Sequence, residues 1–419
     1  MANPIIEHKE VSNGRHSFLL APPQPPELAV VERQQLPVWI SEPPDGVNSE
    51  TFPLLALHGF GRLGDSDYLK SFHESIRTKC NALVITLDYL GTKILRDLNG
   101  IPFFDEVCLK MTNERLVELG LPLIPADVLQ SPKAAHLTVN YLKKLREQYH
   151  LEAGEYMGVI GKRFPDDHYD FGLMQTIDCL WAIRLAKEKF PKANWNQLTA
   201  AGISHGGYLS TQCARFAPNT FSLIINSYGW VKPYLKWIHK GDWAATVQNE
   251  SIKMHLIMEN YWSRDPNSQN YFSPDRAMIR TQLDTNQIQQ WKAQTRGPGP
   301  HFVMTQQIDD EMHPRSEKEV FVRLMKENGF DLEYLTSNVG LPIGYQSLDQ
   351  HDETSFKGLI LDFADPQRRQ NHLVQQDDFE RGEKISYQCG SSLYEIDYST
   401  DFPSLGVRAV KCQVSSDLL

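Results

Sequence analysis

The chain has 419 residues, 41% of them hydrophobic and 22% charged, an ordinary balance for a globular protein large enough to bury a core without disulfide or metal staples. Its formal charge of -10, with no Lys/Arg-rich run, argues against a nucleic-acid partner, because such binding rests on cations meeting phosphates. No apolar run reaches the roughly 20 residues that a membrane span needs. The opening residues, MANPIIEHKE, lack the basic-then-apolar order of a secretion signal. Cys80, Cys108, Cys179, Cys213, Cys389 and Cys412 include no CxxC pair and read as reduced, buried residues of a soluble, cytoplasmic protein.

Residues 1–50 are expected to supply strands leading into the main sheet, with PPQPP at 22–26 as a stiff extended connector. Apolar runs of strand length then recur at 52–57 (FPLLAL), 82–87 (ALVITL), 198–203 (LTAAGI), 221–225 (FSLII), 301–305 (HFVMT) and 330–335 (FDLEYL). Continuous apolar runs, as opposed to alternating ones, suit strands buried on both faces of a parallel sheet. Between them, 170–190 sets Leu173, Ile177, Leu180, Trp181 and Leu185 at helical spacing until Pro191. A second helical stretch at 316–328 closes on Gly329, the usual carboxyl-terminal signal, and a third spans 356–363. This alternation predicts a doubly wound, mostly parallel α/β sheet with right-handed crossovers.

Two intervals, 97–168 and 231–300, are too long for simple crossovers. They are expected to be folded, helical cap insertions within a catalytic domain spanning 51–365. The second holds Trp237, Trp243, Trp262, Trp291, Tyr234, Tyr261, Tyr271 and Phe272, which either line a substrate pocket or pack the insertion onto the core. Residues 366–419 read as an extension with short strands at 385–387 and 393–396.

The chemistry concentrates at Gly202-Ile203-Ser204-His205-Gly206-Gly207, which follows an apolar strand and opens a helical pattern. A serine flanked by glycine at -2 and +2 suits a sharp strand-to-helix turn that holds the hydroxyl out in a strained backbone, where flanking side chains would collide. The helix start adds a positive dipole near a forming oxyanion. Directly after the 52–57 strand comes His58-Gly59-Phe60-Gly61. An oxyanion hole needs two converging backbone N–H groups, one from the residue after the nucleophile and one from an early loop; His205 and Phe60 fit those positions. The acid belongs on the loop after a later strand, and QQIDDEMHP at 306–314 offers Asp309, Asp310 and Glu311. Only one carboxylate can orient the imidazole. For the base, His351 lies between the 330–335 strand and the 356–363 helix, where it is expected. His313 is too close to the acid loop and His372 lies past the helix. The other histidines, His168 included, show no metal-ligand spacing.

The chain order Ser204, Asp310, His351 with HGFG upstream resembles an α/β-hydrolase, in particular the prolyl-oligopeptidase-like and dienelactone-hydrolase-like branches, where GxSxGG precedes an acid loop GxxDxxVP. Setting 303–314 on that pattern places Asp310 on the acid. Gln307 stands where the branch usually has Gly, which leaves Asp309 open beside Asp310. The broad resemblance covers roughly 50–365. More closely, Asp170-Phe171-Gly172-Leu173-Met174-Gln175, with residues 202–208, Ala217-Pro218 and Lys232-Pro233, is similar to a bacterial family of α/β-hydrolase-type proteins of unknown function. The resemblance implies a serine hydrolase with an acyl-Ser204 intermediate, His351 as base, Asp310 as its orienting acid, no cofactor or metal, and a small ester or acyl substrate. A carboxylic ester hydrolase leads. A peptidase is the runner-up, although the 50-odd residues ahead of FPLLAL cannot hold the β-propeller often found in that branch. An acyltransferase and a catalytically silent binding member of the fold are the remaining alternatives; an intact Ser, acid and His argues against the last.

Overall fold

Three strands come first, β1 (Ile5–Ser12), β2 (Arg15–Leu20) and β3 (Leu36–Ser41), paired antiparallel. The apolar runs that follow become β4 (Phe52–Leu57) and β5 (Ala82–Leu87), buried along their whole length and paired in parallel. Helix α1 (Asp67–Cys80) joins them, capped by the Ser66 hydroxyl, which satisfies one of the orphan N–H groups of its first turn. These coordinates are a computed structural model that describes residues 4–12, 14–28, 33–59, 62–92, 101–152, 156–164, 167–239, 245–249, 252–258, 262–306, 314–336, 353–363 and 372–410. They divide into two units, the larger drawn from 1–92, 170–233 and 273–419 and the smaller from 93–169 and 234–272.

In the smaller unit, β6 (Ile101–Phe103), α2 (Glu106–Glu118), α3 (Ala134–Tyr149) and β7 (Tyr156–Arg163) precede the later elements of the same unit. The larger unit resumes with α4 (Leu173–Lys189), β8 (Thr199–Ile203), α5 (His205–Phe216) and β9 (Leu223–Ser227). The smaller unit is completed by α6 (Leu235–Ile238), β10 (Ala245–Asn249) and β11 (Ile252–Met258). The larger unit then runs through α7 (Pro274–Arg280), α8 (Thr285–Gln294), β12 (His301–Gln306), α9 (Arg315–Glu327), β13 (Leu332–Thr336), α10 (Glu353–Phe363) and α11 (Asp378–Arg381). Strands β14 (Lys384–Cys389), β15 (Ser392–Asp397) and β16 (Ser404–Ala409) close the chain as an antiparallel sheet.

The main sheet has nine strands in the order β1-β2-β3-β5-β4-β8-β9-β12-β13. From β5 to β13 every pairing is parallel, as the unbroken apolar runs require, because only a strand covered on both faces buries every side chain. One core cluster joins Leu54, Ala56, Val84, Ala201, Ile225 and Val303 of the sheet to Phe72 and Ile76 of α1 and Phe356, Leu359 and Ile360 of α10. The terminal sheet is bound to this unit by polar links as well: the Tyr387 hydroxyl donates to the Arg215 carbonyl, and the Trp181 indole donates to that of Pro403 at 2.7 Å.

The smaller unit holds strands as well as the helices expected of the insertions. It holds a four-stranded sheet, β10-β11-β7-β6, alongside α2 and α3. Residues 273–300, expected within the second insertion, belong to the larger unit as α7 and α8. The aromatic side chains sort accordingly. Trp262 is wholly buried in the smaller unit against His168 and Phe272, whereas Trp291 is buried in the larger against Phe302 and Phe330. Both are packing residues of their own unit. The side chain of Trp237, and all of Trp243 and Tyr261, lie outside the described residues.

Candidate active site

Ser204 sits between β8 and α5 with φ 54° and ψ -121°, a left-handed backbone conformation that an L-residue adopts only under strain. Two features hold it there. Its amide donates to the Ser227 carbonyl at the end of β9 (2.8 Å), and its carbonyl accepts the Tyr208 amide (3.2 Å). The flanking glycines are required sterically: a Cβ on Gly202 would lie 2.0 Å from the Gly206 carbonyl oxygen, and one on Gly206 would lie 2.2 Å from that of Leu57. The HGFG loop reaches the same point. A Cβ built on Gly59 would be 3.5 Å from Ser204 Cβ and 3.9 Å from its Oγ. Helix α5 is 12 residues long and starts at His205, so its unpaired N–H groups and positive end face the serine.

Strain is concentrated around this elbow. Of the five described non-glycine residues with positive φ, Phe171 (55°) and Tyr228 (53°) lie here beside Ser204, while Asn81 and His150 cap the carboxyl ends of α1 and α3. Tyr228 follows β9 and its amide donates to Thr305 of β12 (3.2 Å). The Phe171 ring packs edge-on against His205 (5.1 Å) and stacks on Trp230 (5.1 Å). Beneath the loop after β9, the buried Lys318 amine of α9 donates to Asn226 Oδ1 (3.0 Å) and to the Gly229 carbonyl.

The side chain of His205 turns inward and is fully buried. Gln175 fixes it. The Gln175 amide nitrogen lies 2.7 Å from the Leu90 carbonyl, which can only accept, so Oε1 faces Gly172 N–H (2.7 Å) and His205 Nε2 (2.8 Å). His205 therefore donates from Nε2. Its imidazole is a support for the helix start, which leaves its backbone N–H for the role expected of it. Behind the HGFG loop, His58 is buried with Nε2 at the Leu87 carbonyl (3.2 Å) and Nδ1 at the Tyr89 hydroxyl (3.1 Å), its ring stacked on Tyr89 at 4.5 Å. Desolvation lowers its pKa to about 4, so it stays neutral, with a backbone carbonyl at each ring nitrogen, Leu87 at Nε2 and Gly59 at Nδ1 (3.0 Å).

The structure thus brings Ser204, the His205 amide and the Gly59 turn together. Phe60, Asp309, Asp310, Glu311, His313 and His351 lie outside the described residues. His372, set aside as a base, is bonded to Asp331 (2.8 Å) and Gly299 (3.0 Å). Sequence reasoning missed Gln175, His58, Tyr89 and Lys318 as supports. Gln175 was visible only as a polar residue within the DFGLMQ segment that carries the closer family resemblance.

A nine-stranded, mostly parallel sheet in this order, with a serine on a left-handed elbow after a central strand, defines an α/β-hydrolase fold. The chain belongs to the family described as "Protein of unknown function (DUF2920)", whose model matches residues 54–338. A search of curated proteins found no match. Among solved structures the chain is similar to an S-formylglutathione hydrolase from Agrobacterium tumefaciens, with 14% identity and a TM-score of 0.43 over 88% of this chain and 100% of that one. It is also similar to a thermostable esterase from Pseudomonas putida, with 13% identity and a TM-score of 0.40 over 89% and 85%. For an acylaminoacyl peptidase from Pyrococcus horikoshii the values are 10% and 0.42, over 88% of this chain and 50% of that one; this chain spans half of that peptidase's length. Among the described residues no helix is long and apolar enough to cross a membrane.

Proposed function

We propose that the protein is a serine hydrolase that cleaves small carboxylic esters through an acyl-Ser204 intermediate. The observation that carries this reading is the backbone of Ser204, held at φ 54° between β8 and α5, with its own amide fixed to Ser227 and its neighbour His205 fixed to Gln175. Strained non-glycine residues cluster at active sites, where the strain can position a reacting group. In this reading Ser204 Oγ attacks the ester carbonyl and His351 takes its proton. Asp310 orients the imidazole, and the N–H groups of His205 and Phe60 receive the oxyanion. Collapse of the tetrahedral intermediate expels the alcohol, protonated by His351; water, activated by the same imidazole, then releases the acid and regenerates Ser204. The triad supplies its own activated nucleophile, so the reaction draws on no cofactor.

Turnover of p-nitrophenyl acetate tests the assignment. Ser204→Ala should lower it by roughly 10⁴–10⁶-fold, the scale for losing a triad nucleophile, with an unchanged melting temperature. Near-wild-type turnover in that variant would remove Ser204 from the chemistry.

A further inference from the structure

The elbow lies beyond the carboxyl end of β8. At the opposite, amino-terminal end of the parallel strands β12 and β13, three side chains from separate segments converge. His301 opens β12, Asp331 immediately precedes β13, and His372 follows α10. Asp331 Oδ2 lies 2.9 Å from His301 Nδ1 and 2.8 Å from His372 Nε2, and the three ligating atoms fall within 4.8 Å of one another. Both imidazoles are about nine-tenths buried, while the Asp331 side chain is 54% exposed.

The outer contacts of the two rings decide what this cluster suits. His372 Nδ1 lies 3.0 Å from the Gly299 carbonyl, an atom that can only accept, so Nδ1 carries the proton. In the neutral ring Nε2 is then a lone pair aimed at a carboxylate oxygen. His301 lies between two carboxylates: its Nδ1 is hydrogen-bonded to Asp331 Oδ2 and its Nε2 lies 3.3 Å from Glu333 Oε1. A lone pair facing a carboxylate oxygen repels it unless a cation, a proton or a metal ion, lies between them. Each ring, moreover, has the outer acceptor that a metal-bound imidazole needs: a carboxylate for His301 and a backbone carbonyl for His372.

We propose that His301 Nδ1, Asp331 Oδ2 and His372 Nε2 bind a divalent transition ion of the zinc class. Two imidazoles and one carboxylate form a donor set for zinc, with solvent at the fourth position on the exposed Asp331 side. The ion neutralises the paired Asp331 and Glu333 charges and pins His372 to the starts of β12 and β13. Zinc–ligand distances of about 2.0–2.2 Å require the N···O separations to open by about half an ångström, which the half-exposed Asp331 accommodates by rotation. The site is independent of the chemistry proposed at Ser204.

The test uses the full chain without an affinity tag, dialysed against chelator and titrated with Zn²⁺ at pH 7.5 by calorimetry and thermal melting. The wild type should bind one Zn²⁺ more tightly than its His372→Ala and Asp331→Asn variants by at least tenfold. Its melting temperature should rise with Zn²⁺ and be unmoved by equal Ca²⁺. Glu333→Gln, which leaves all three ligands in place, should weaken binding about tenfold by loosening His301. Equal zinc affinity in the wild type and all three variants would overturn the proposal. So would a wild type whose melting temperature is indifferent to zinc and chelator.

Discussion

His205 Nε2 and Gln175 Oε1 lie 2.8 Å apart inside the larger unit, so the residue after the proposed nucleophile is anchored by the first turn of α4. Gln175 also joins Leu90 after β5 to Gly172 before α4. Replacing it with Leu leaves the His205 and Gly172 N–H groups and the Leu90 carbonyl buried without those partners. Each such group costs about 1–3 kcal/mol. Urea unfolding of Gln175→Leu should therefore show a loss of at least about 2 kcal/mol, with ester turnover falling further than stability alone explains. Wild-type turnover in a destabilised variant would separate Gln175 from the site.

Gly202→Ala tests the elbow sterically. Its new methyl would sit 2.0 Å from the Gly206 carbonyl oxygen, so the helix start must shift. Overpacking of this kind typically costs about 1–3 kcal/mol. The variant should fold with a lowered melting temperature and lose turnover, because the displaced atoms include the N–H groups at the start of α5.

Acid should weaken the fold through two buried histidines. Desolvation lowers His73 to about 3, with Arg15 and Arg77 adding to it, and lowers His58 to about 4, against 6.5 when unfolded. Below pH 6.5 the unfolded chain takes up protons that the folded chain refuses until about pH 3–4. Stability is therefore fully present above 6.5 and falls as the pH drops through that window. At pH 5 each ring accounts for about 2 kcal/mol. Neither His73 nitrogen has a hydrogen-bond partner among the described residues, so His73→Leu should raise the melting temperature at pH 5 by more than at pH 8. An equal shift at both would contradict the titration.

Arg33 and Asp178 form a buried bidentate pair, at 2.7 and 2.8 Å, and Asp178 also accepts the Leu90 amide. Burial raises the Asp178 pKa despite the guanidinium beside it. Arg33→Met strands that carboxylate and should cost about 3–5 kcal/mol, whereas Arg33→Met with Asp178→Leu should recover most of the loss. Denaturant unfolding of both variants measures the difference.

The strands of the parallel sheet were legible wherever burial on both faces left an unbroken apolar run. The runs at 52–57 and 82–87 coincide with β4 and β5. The run at 221–225 stops short of β9, which continues to Ser227, because its last residues are polar yet buried, with Asn226 bonded to Thr211 and Ser227 to Thr305. The smaller unit's sheet was hidden for a related reason. In β7, Gly158 and Gly161 lie against Thr112, Leu142 and Phe103, so close packing replaced the apolar signal. The elbow was readable because GxSxGG is forced by backbone geometry. The supports were not, because Gln175 and His58 act through contacts made across the sheet sequence. The His301–Asp331–His372 cluster was equally invisible, since its ligands come from three distant segments.

The most direct measurement is reaction of the intact protein with a fluorophosphonate probe, followed by peptide mapping. One phosphonyl group per chain should attach to Ser204, with no labelling of Ser204→Ala. A folded wild-type protein that stays unlabelled, or that carries the adduct on another residue, would contradict Ser204 as an activated nucleophile.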